Sequence, residues 1–212
     1  MEIAEPLDRT DCYGVLKPYL PALDDSFRAA MQRWQAWLGK LDGSPADVSA
    51  RSRANTLYDF IVVEVTKRFA PDPHVRVRKE RGFLVVRFHD LVAMRFKKFR
   101  SNTLKTSSVA TAQSLAFSNQ TLEISEVTIQ PMTHVVAGYL LDDLDLNIAK
   151  VAVTCTMFGD HLWAPIQISG TVAPVAAVPQ VSTEAAPAPR VRSKRVKKII
   201  DDGQQAAGGS EE

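Results

Sequence analysis

The sequence contains few of the residues that build metal centres and disulfide frameworks. Its 212 residues include only two cysteines and four histidines. Cys12 and Cys155 are too far apart in sequence to form a metal-type pair, and two cysteines do not make a disulfide framework. The histidines lack the close spacing of a zinc site. We therefore expect a protein of the reducing cytoplasm that needs no metal and no other cofactor.

Long apolar runs and catalytic motifs are also missing. No stretch of about 18 apolar residues occurs, so we expect no membrane contact. Residues 1–11 are acidic and lack the apolar segment of a secretory signal. Neither a glycine-rich phosphate loop nor a Gly-x-Ser-x-Gly motif is present. Ser107 and Ser108 have no identifiable base beside them, so capping of a helix is the better interpretation.

One segment resembles the metal-binding pattern of restriction-type nucleases. In that pattern an Asp precedes an acid-x-Lys triplet, and here Asp90 precedes Arg95, Phe96 and Lys97. Arg95 stands where the pattern needs an acid, and its positive charge would repel a divalent ion. The sequence therefore indicates at most a degenerate nuclease and does not establish an enzyme.

Positive charge is concentrated in two segments of the chain. Residues 76–100 contain nine Lys or Arg and two acids, and residues 190–198 contain six Lys or Arg and no acid. The whole chain has a formal net charge of only +2, so the remainder is acidic. This asymmetry predicts a polyanionic partner.

Hydrophobic periodicity predicts an α+β fold with two N-terminal helices packed on a mostly antiparallel sheet. Apolar residues at spacings of three and four predict helices over about 24–41 and 49–69. Asp24 or Asp25 is expected to cap the first helix. The aromatic stripe of that helix, which includes Trp34, is expected to lie in the core.

Alternation of polar and apolar residues predicts a meander of three antiparallel strands over residues 74–98. Alternate side chains of a strand point to opposite faces. One face should therefore pack its apolar residues on the helices, and the other should be open to solvent. The open face is expected to carry Arg76, Arg78, Phe83, Val85, Arg87, Arg95 and Lys97.

The remaining elements complete a single domain expected over residues 1–168. Asp142, Asp143 and Asp145 are interpreted as a solvated turn, because the glycine and distal Glu of a calcium loop are absent. Residues 169–212 form an Ala- and Pro-rich linker with a basic cluster, and this composition predicts a disordered tail. A short helix is predicted over 107–117, and strands are predicted over about 121–129, 133–141, 147–157 and 162–168.

A basic sheet face that carries an aromatic side chain is typical of a nucleic-acid surface. Arginines bind phosphates, and Phe83 can stack on an unpaired base. The tail would add a mobile arm whose attraction weakens with salt. The predicted contacts with DNA or RNA are Arg76, Arg78, Phe83, Arg87, Arg95, Lys97, Lys98, Arg190, Arg192, Lys194, Arg195, Lys197 and Lys198.

Two other interpretations of the basic face stay open. Exposed strands are often rich in Arg and Lys only because these residues prevent edge pairing and aid solubility. Alternatively, the face docks an acidic protein, and the chain acts as a toxin-like interaction module.

Several fragments together resemble a known group of proteins. They are residues 51–59 (RSRANTLYD), residues 95–98 (RFKK), Gln113 with Gln120, and residues 137–139 (AGY) before an acidic hairpin. Their order over about residues 50–168 resembles uncharacterised bacterial and prophage proteins encoded beside a helix-turn-helix regulator with a zinc-peptidase domain. The resemblance implies a toxin–antitoxin-like or phage-defence module with a regulator protein as partner, and it implies no catalytic residues.

Overall fold

The computed structural model describes residues 5–41, 47–80, 82–106, 111–121 and 132–168. Within these ranges the chain forms α-helices and one mainly antiparallel sheet. The helices are α1 (Arg9–Leu16), α2 (Leu20–Leu38), α3 (Ala50–Phe69) and α4 (Ala112–Ser118). The strands are β1 (Val75–Glu80), β2 (Phe83–Phe88), β3 (Val92–Lys98), β4 (Thr133–Leu141), β5 (Ile148–Met157), β6 (Asp160–His161) and β7 (Ile166–Gln167).

The predicted α+β class is confirmed, and the helix boundaries follow local chemistry. The α2 helix begins at Leu20 rather than near Asp24, because Pro21 fits the first turn of a helix. Asp24 does not cap this helix but pairs with Arg28 one turn later at 2.7 Å. Ser49 caps α3 by accepting a hydrogen bond from the Ser52 N–H. No helix in the described part of the chain has the length and apolarity needed to cross a bilayer.

The sheet has the strand order β1-β2-β3-β4-β5-β6, and β7 also pairs with β5. The predicted meander is present, since β1–β2 and β2–β3 are antiparallel hairpins. The β3–β4 pair is parallel, with Val92 opposite Thr133 and Lys98 opposite Tyr139. A parallel pair requires a crossover connection. The chain between β3 and β4 therefore crosses a face of the sheet, and it includes α4.

The two faces of the sheet are both covered in part. The inner face packs on α1, α2 and α3, and its core includes Val86, Met94 and Tyr139. The outer face buries a smaller cluster of Val85, Ala93 and Val136 with Phe117 of α4 and Met132. Strand alternation thus assigned the faces correctly. The expectation of an open outer face was wrong for Val85, Arg87 and Arg95, which are buried, whereas Arg76 and Arg78 are exposed.

Other boundaries differ from the sequence predictions. The α1 helix was not predicted, although the Asp8 carboxylate caps it by accepting the Asp11 N–H at 2.8 Å. Thr111 caps the described helix α4 through reciprocal hydrogen bonds with Ser114. The strand predicted over 162–168 is shorter, since only Ile166–Gln167 pairs there with β5. Residues 122–129 of the strand predicted over 121–129, together with Ser107, Ser108 and the tail from 169 to 212, lie outside the described residues.

Candidate nucleic-acid interface

Both acids of the basic segment, residues 76–100, form salt bridges with arginines. Arg76 of β1 pairs with Asp90 in the β2–β3 turn at 3.1 Å. Arg87 of β2 is only 3% exposed and pairs with Glu80 at the end of β1. The register places Arg76 directly opposite Arg87 on the outer face. Two like charges side by side are unfavourable in a sheet, and each is offset here by its own carboxylate.

Arg95 lies between two aromatic rings under the crossover helix. Its guanidinium carbon is 4.7 Å from the centre of the Phe83 ring and 4.2 Å from that of Phe117. The side chain is only 3% exposed. This is a buried cation–π arrangement, so Arg95 has a packing role in the folded chain.

These positions correct the predicted interface. Arg87 and Arg95 were expected on an open surface, but each is only 3% exposed, and the Phe117 ring of α4 covers the Arg95 guanidinium. Phe83 is half-buried, and its ring packs on Arg95. A buried arginine cannot reach a phosphate unless its surroundings unfold. Substitution of Arg87 or Arg95 is therefore expected to lower the stability of the fold, and any loss of binding would follow from that.

Lys98 is also placed differently from the other predicted contacts. Its side chain lies on the same face of β3 as those of Met94 and Phe96, which are part of the inner core. Its ammonium pairs with Asp145 in the β4–β5 turn at 2.8 Å. Lys98 therefore does not share the outer face with Lys97.

Three cations remain accessible at one end of the sheet, and we refer to Arg78, Lys79 and Lys97 as the cationic end. The strands β1 and β3 both run antiparallel to β2, so their C-terminal ends lie at the same end of the sheet. Arg78 and Lys79 are exposed, and Lys97 is half-buried. Within the described residues none of the three forms an ion pair. Burial lowers the pKa of the Lys97 amine, and the charge of Arg95 lowers it further.

A side-chain tether holds the crossover against the outer face. The Gln120 side-chain amide donates to the carbonyls of His134 and Thr156 at 2.9 and 3.1 Å. Its oxygen accepts the His134 N–H at 2.6 Å. The His134 ring stacks on Phe117 with 4.7 Å between ring centres. The tether therefore fixes the end of α4 to β4 and β5.

Nucleophilic chemistry has little support among the described residues. Cys12 and Cys155 are free and fully buried. Burial raises the pKa of each thiol to about 12, so neither is a thiolate at neutral pH. No group of three or more His, Cys, Asp or Glu side chains in the described ranges is arranged to hold a metal ion. Asp142 instead stabilises its turn by accepting the Leu146 N–H at 2.8 Å.

Sequence reasoning left Lys79 out of the interface. Lys79 lies in the predicted turn of the hairpin, but β1 extends to Glu80 and pairs Lys79 with Leu84, so Lys79 is an exposed strand residue on the face of Val75 and Val77. The tail cations, Arg190, Arg192, Lys194, Arg195, Lys197 and Lys198, lie outside the described residues. No protein-family model matches the chain, and comparison with curated proteins and with solved structures also found no match.

Proposed function

We propose that the protein binds nucleic acid through the cationic end of its sheet, assisted by the basic residues of its C-terminal segment. The proposal rests on which cations of the basic segment are paired with acids and which are not. Its two acids pair with Arg76 and Arg87, whereas Arg78, Lys79 and Lys97 have no acidic partner among the described residues. Unpaired accessible cations are the groups that displace counterions from a phosphate backbone.

The geometry favours contact with the phosphate backbone over reading of base edges. The one aromatic side chain predicted to stack on a base, Phe83, already packs on Arg95. Lys and Arg contacts to phosphates carry no direct sequence information. We therefore expect binding that depends strongly on salt and weakly on sequence.

The position of β1 favours a second candidate function, docking of an acidic protein. It is the terminal strand of the sheet order, so one side of its backbone has no neighbouring strand in the described structure. An extended segment can add to such an edge by main-chain hydrogen bonds. Carboxylates of the added segment would face Arg76 and Arg78. This is the mode in which a regulator protein of a toxin–antitoxin-like module would bind.

Fluorescence anisotropy of labelled DNA and RNA oligonucleotides tests the nucleic-acid proposal. We expect the double variant Arg78→Gln/Lys79→Gln to bind more weakly and to reduce the slope of log affinity against log salt by about 2. The matched control is Lys17→Gln/Lys67→Gln, which removes two exposed charges from the helical layer. A full-length variant with the six cations of residues 190–198 replaced by Gln measures the contribution of that segment.

The outcomes separate the two candidate functions. Unchanged affinity and salt slope in Arg78→Gln/Lys79→Gln would contradict a role for the cationic end in nucleic-acid binding. If the same variant instead loses co-purification with an acidic protein encoded beside it, the docking function is favoured.

A further inference from the structure

The turn between β5 and β6 presents an aromatic side chain to solvent. Phe158 is 81% exposed, more than any other large hydrophobic residue in the described part of the chain. The side chain therefore contributes almost nothing to the core, and its role has to be sought outside the packing of the fold.

The backbone at Phe158 is also unusual for a residue of this type. Met157 pairs with Asp160, so Phe158 and Gly159 form a two-residue hairpin turn. Both residues have a positive φ, 52° for Phe158 and 90° for Gly159, as a type I′ turn requires. Asn, Asp or Gly is favoured at the first position of this turn, and a bulky residue there is strained. Neither the turn nor the core therefore accounts for a phenylalanine at this position.

The turn is held in place from the outer face of the sheet. The Asn119 side chain, at the end of α4, accepts the Phe158 N–H through its Oδ1 atom at 3.1 Å. On the other side of the turn, the Leu162 N–H donates to the Cys155 carbonyl at 2.9 Å. The ring is thus carried on a fixed backbone, and a ligand that binds it does not have to order the turn first.

The surroundings of the Phe158 ring are polar and indicate the class of ligand. Asp160 follows the turn, and its charge is offset by Lys105 at 3.0 Å. The His161 ring lies next and hydrogen-bonds to the Thr103 carbonyl at 2.8 Å. A hot spot for protein binding lies within a closely packed patch, which these polar neighbours do not supply. A nucleobase suits the site better, because it has a flat face for the ring and polar edges for the surroundings.

We propose that Phe158 stacks on an unpaired nucleobase of a strand whose phosphates contact the cationic end. This inference rests on the proposed nucleic-acid function and adds a preference for single strands, since the bases of a duplex are already stacked on one another. Phe158 would take the role that the sequence assigned to Phe83.

The strand register allows one nucleic-acid strand to reach both places. Lys97 lies opposite Gly138, and Gly138 lies opposite Ala152, which precedes Met157 by five residues on β5. Five residues at about 3.4 Å each and two strand spacings of about 4.8 Å separate Lys97 from the turn by about 20 Å. A strand of about ten nucleotides spans this distance at about 3.4 Å per nucleotide.

The variant Phe158→Asn removes the ring and gives the turn its favoured Asn-Gly pair, so the fold should be as stable as wild type or more stable. Fluorescence anisotropy with a labelled ten-nucleotide oligothymidine should show about tenfold weaker binding. Affinity for a duplex and the slope of log affinity against log salt should not change, because stacking displaces no counterions. The matched control is Tyr13→Asn, which removes an exposed aromatic residue from α1 and should bind normally.

The variant Phe158→Trp provides a direct signal, because an indole ring can replace the phenyl ring in the stack. It should bind as tightly as wild type, and oligothymidine should quench its added fluorescence once the signal of the three native tryptophans is subtracted. Tyr13→Trp, on the helical layer, should show no such quenching.

The outcomes separate this inference from the proposed function. If Arg78→Gln/Lys79→Gln weakens binding but Phe158→Asn does not, the cationic end keeps its role and the stacking proposal is overturned. Equal losses for single strand and duplex in Phe158→Asn also overturn it, as does an unquenched Phe158→Trp. If wild type binds no oligonucleotide, both proposals fail.

Discussion

The Arg95 guanidinium stacks on the Phe117 ring, 4.2 Å from its centre, and so joins the meander to the crossover helix. The two residues lie on β3 and α4, and the chain between them is part of the crossover. A residue expected to bind phosphates is thus one of the points at which the outer layer attaches to the sheet.

We predict that Arg95→Ala lowers the free energy of unfolding by about 3 kcal/mol, because it removes a desolvated cation–π contact and leaves a cavity. Urea denaturation measures this loss. The matched control is Arg78→Ala on the exposed strand β1, which should change stability by less than about 0.5 kcal/mol. A double-mutant cycle with Phe117→Leu should give a coupling energy of about 1 kcal/mol. If the two changes in unfolding free energy are additive, the two side chains do not stabilise each other.

His134 should make stability depend on pH in the mildly acidic range. Burial lowers the pKa of its imidazole to about 4, and the charge of Arg95 adds to this effect although a hydrogen bond with the Phe117 carbonyl opposes it. In the unfolded chain the pKa is about 6.5. Below that pH the unfolded chain binds a proton that the folded chain does not. The folded chain therefore has its full stability above about pH 6.5. About 3 kcal/mol of the unfolding free energy is lost as the pH falls towards 4.

The variant His134→Phe isolates this effect, because a phenyl ring can keep the stack on Phe117 but cannot titrate. Urea denaturation of both proteins across this pH range is the measurement. We expect the difference in unfolding free energy between wild type and variant to change with pH. Parallel curves would show that His134 binds a proton equally well in the folded state.

Gly138 of β4 is required by the packing of Phe99. A Cβ atom at this position would overlap the Phe99 ring, which is buried against the strand. Gly138→Ala should therefore destabilise the fold by about 1 to 3 kcal/mol, as overpacking of a core does. Phe99→Leu in the same chain should recover part of that loss. Urea denaturation of the single and double variants measures the unfolding free energies that test this. If Gly138→Ala alone is neutral, the Phe99 ring has room to move.

The predictable part of the fold is local in sequence. Alternation over residues 75–98 assigned the faces correctly because strand periodicity needs only neighbouring residues. The predicted bounds of α3, about 49–69, agree with Ala50–Phe69, because the apolar spacing of a helix is also a local signal. The α2 start was misplaced because Asp24, although a good capping residue, is used in an ion pair inside the helix.

The candidate interface was less predictable because the crossover decides which cations meet solvent. Arg95 and Arg78 have the same residue type and the same face, yet one is buried and the other exposed. Nothing in the alternating pattern distinguishes them. The difference depends on α4, which packs there through a parallel strand pairing that links residues about 40 positions apart.

That parallel pairing also has a consequence for the order of folding. The β1–β2–β3 meander closes through tight turns, whereas Val92 meets Thr133 only after the whole crossover loop has closed. The entropy of loop closure rises with loop length, and contacts distant in sequence slow folding. The Arg95 guanidinium is therefore expected to stay hydrated until the crossover packs on the sheet, so its desolvation accompanies this long-range closure of the chain.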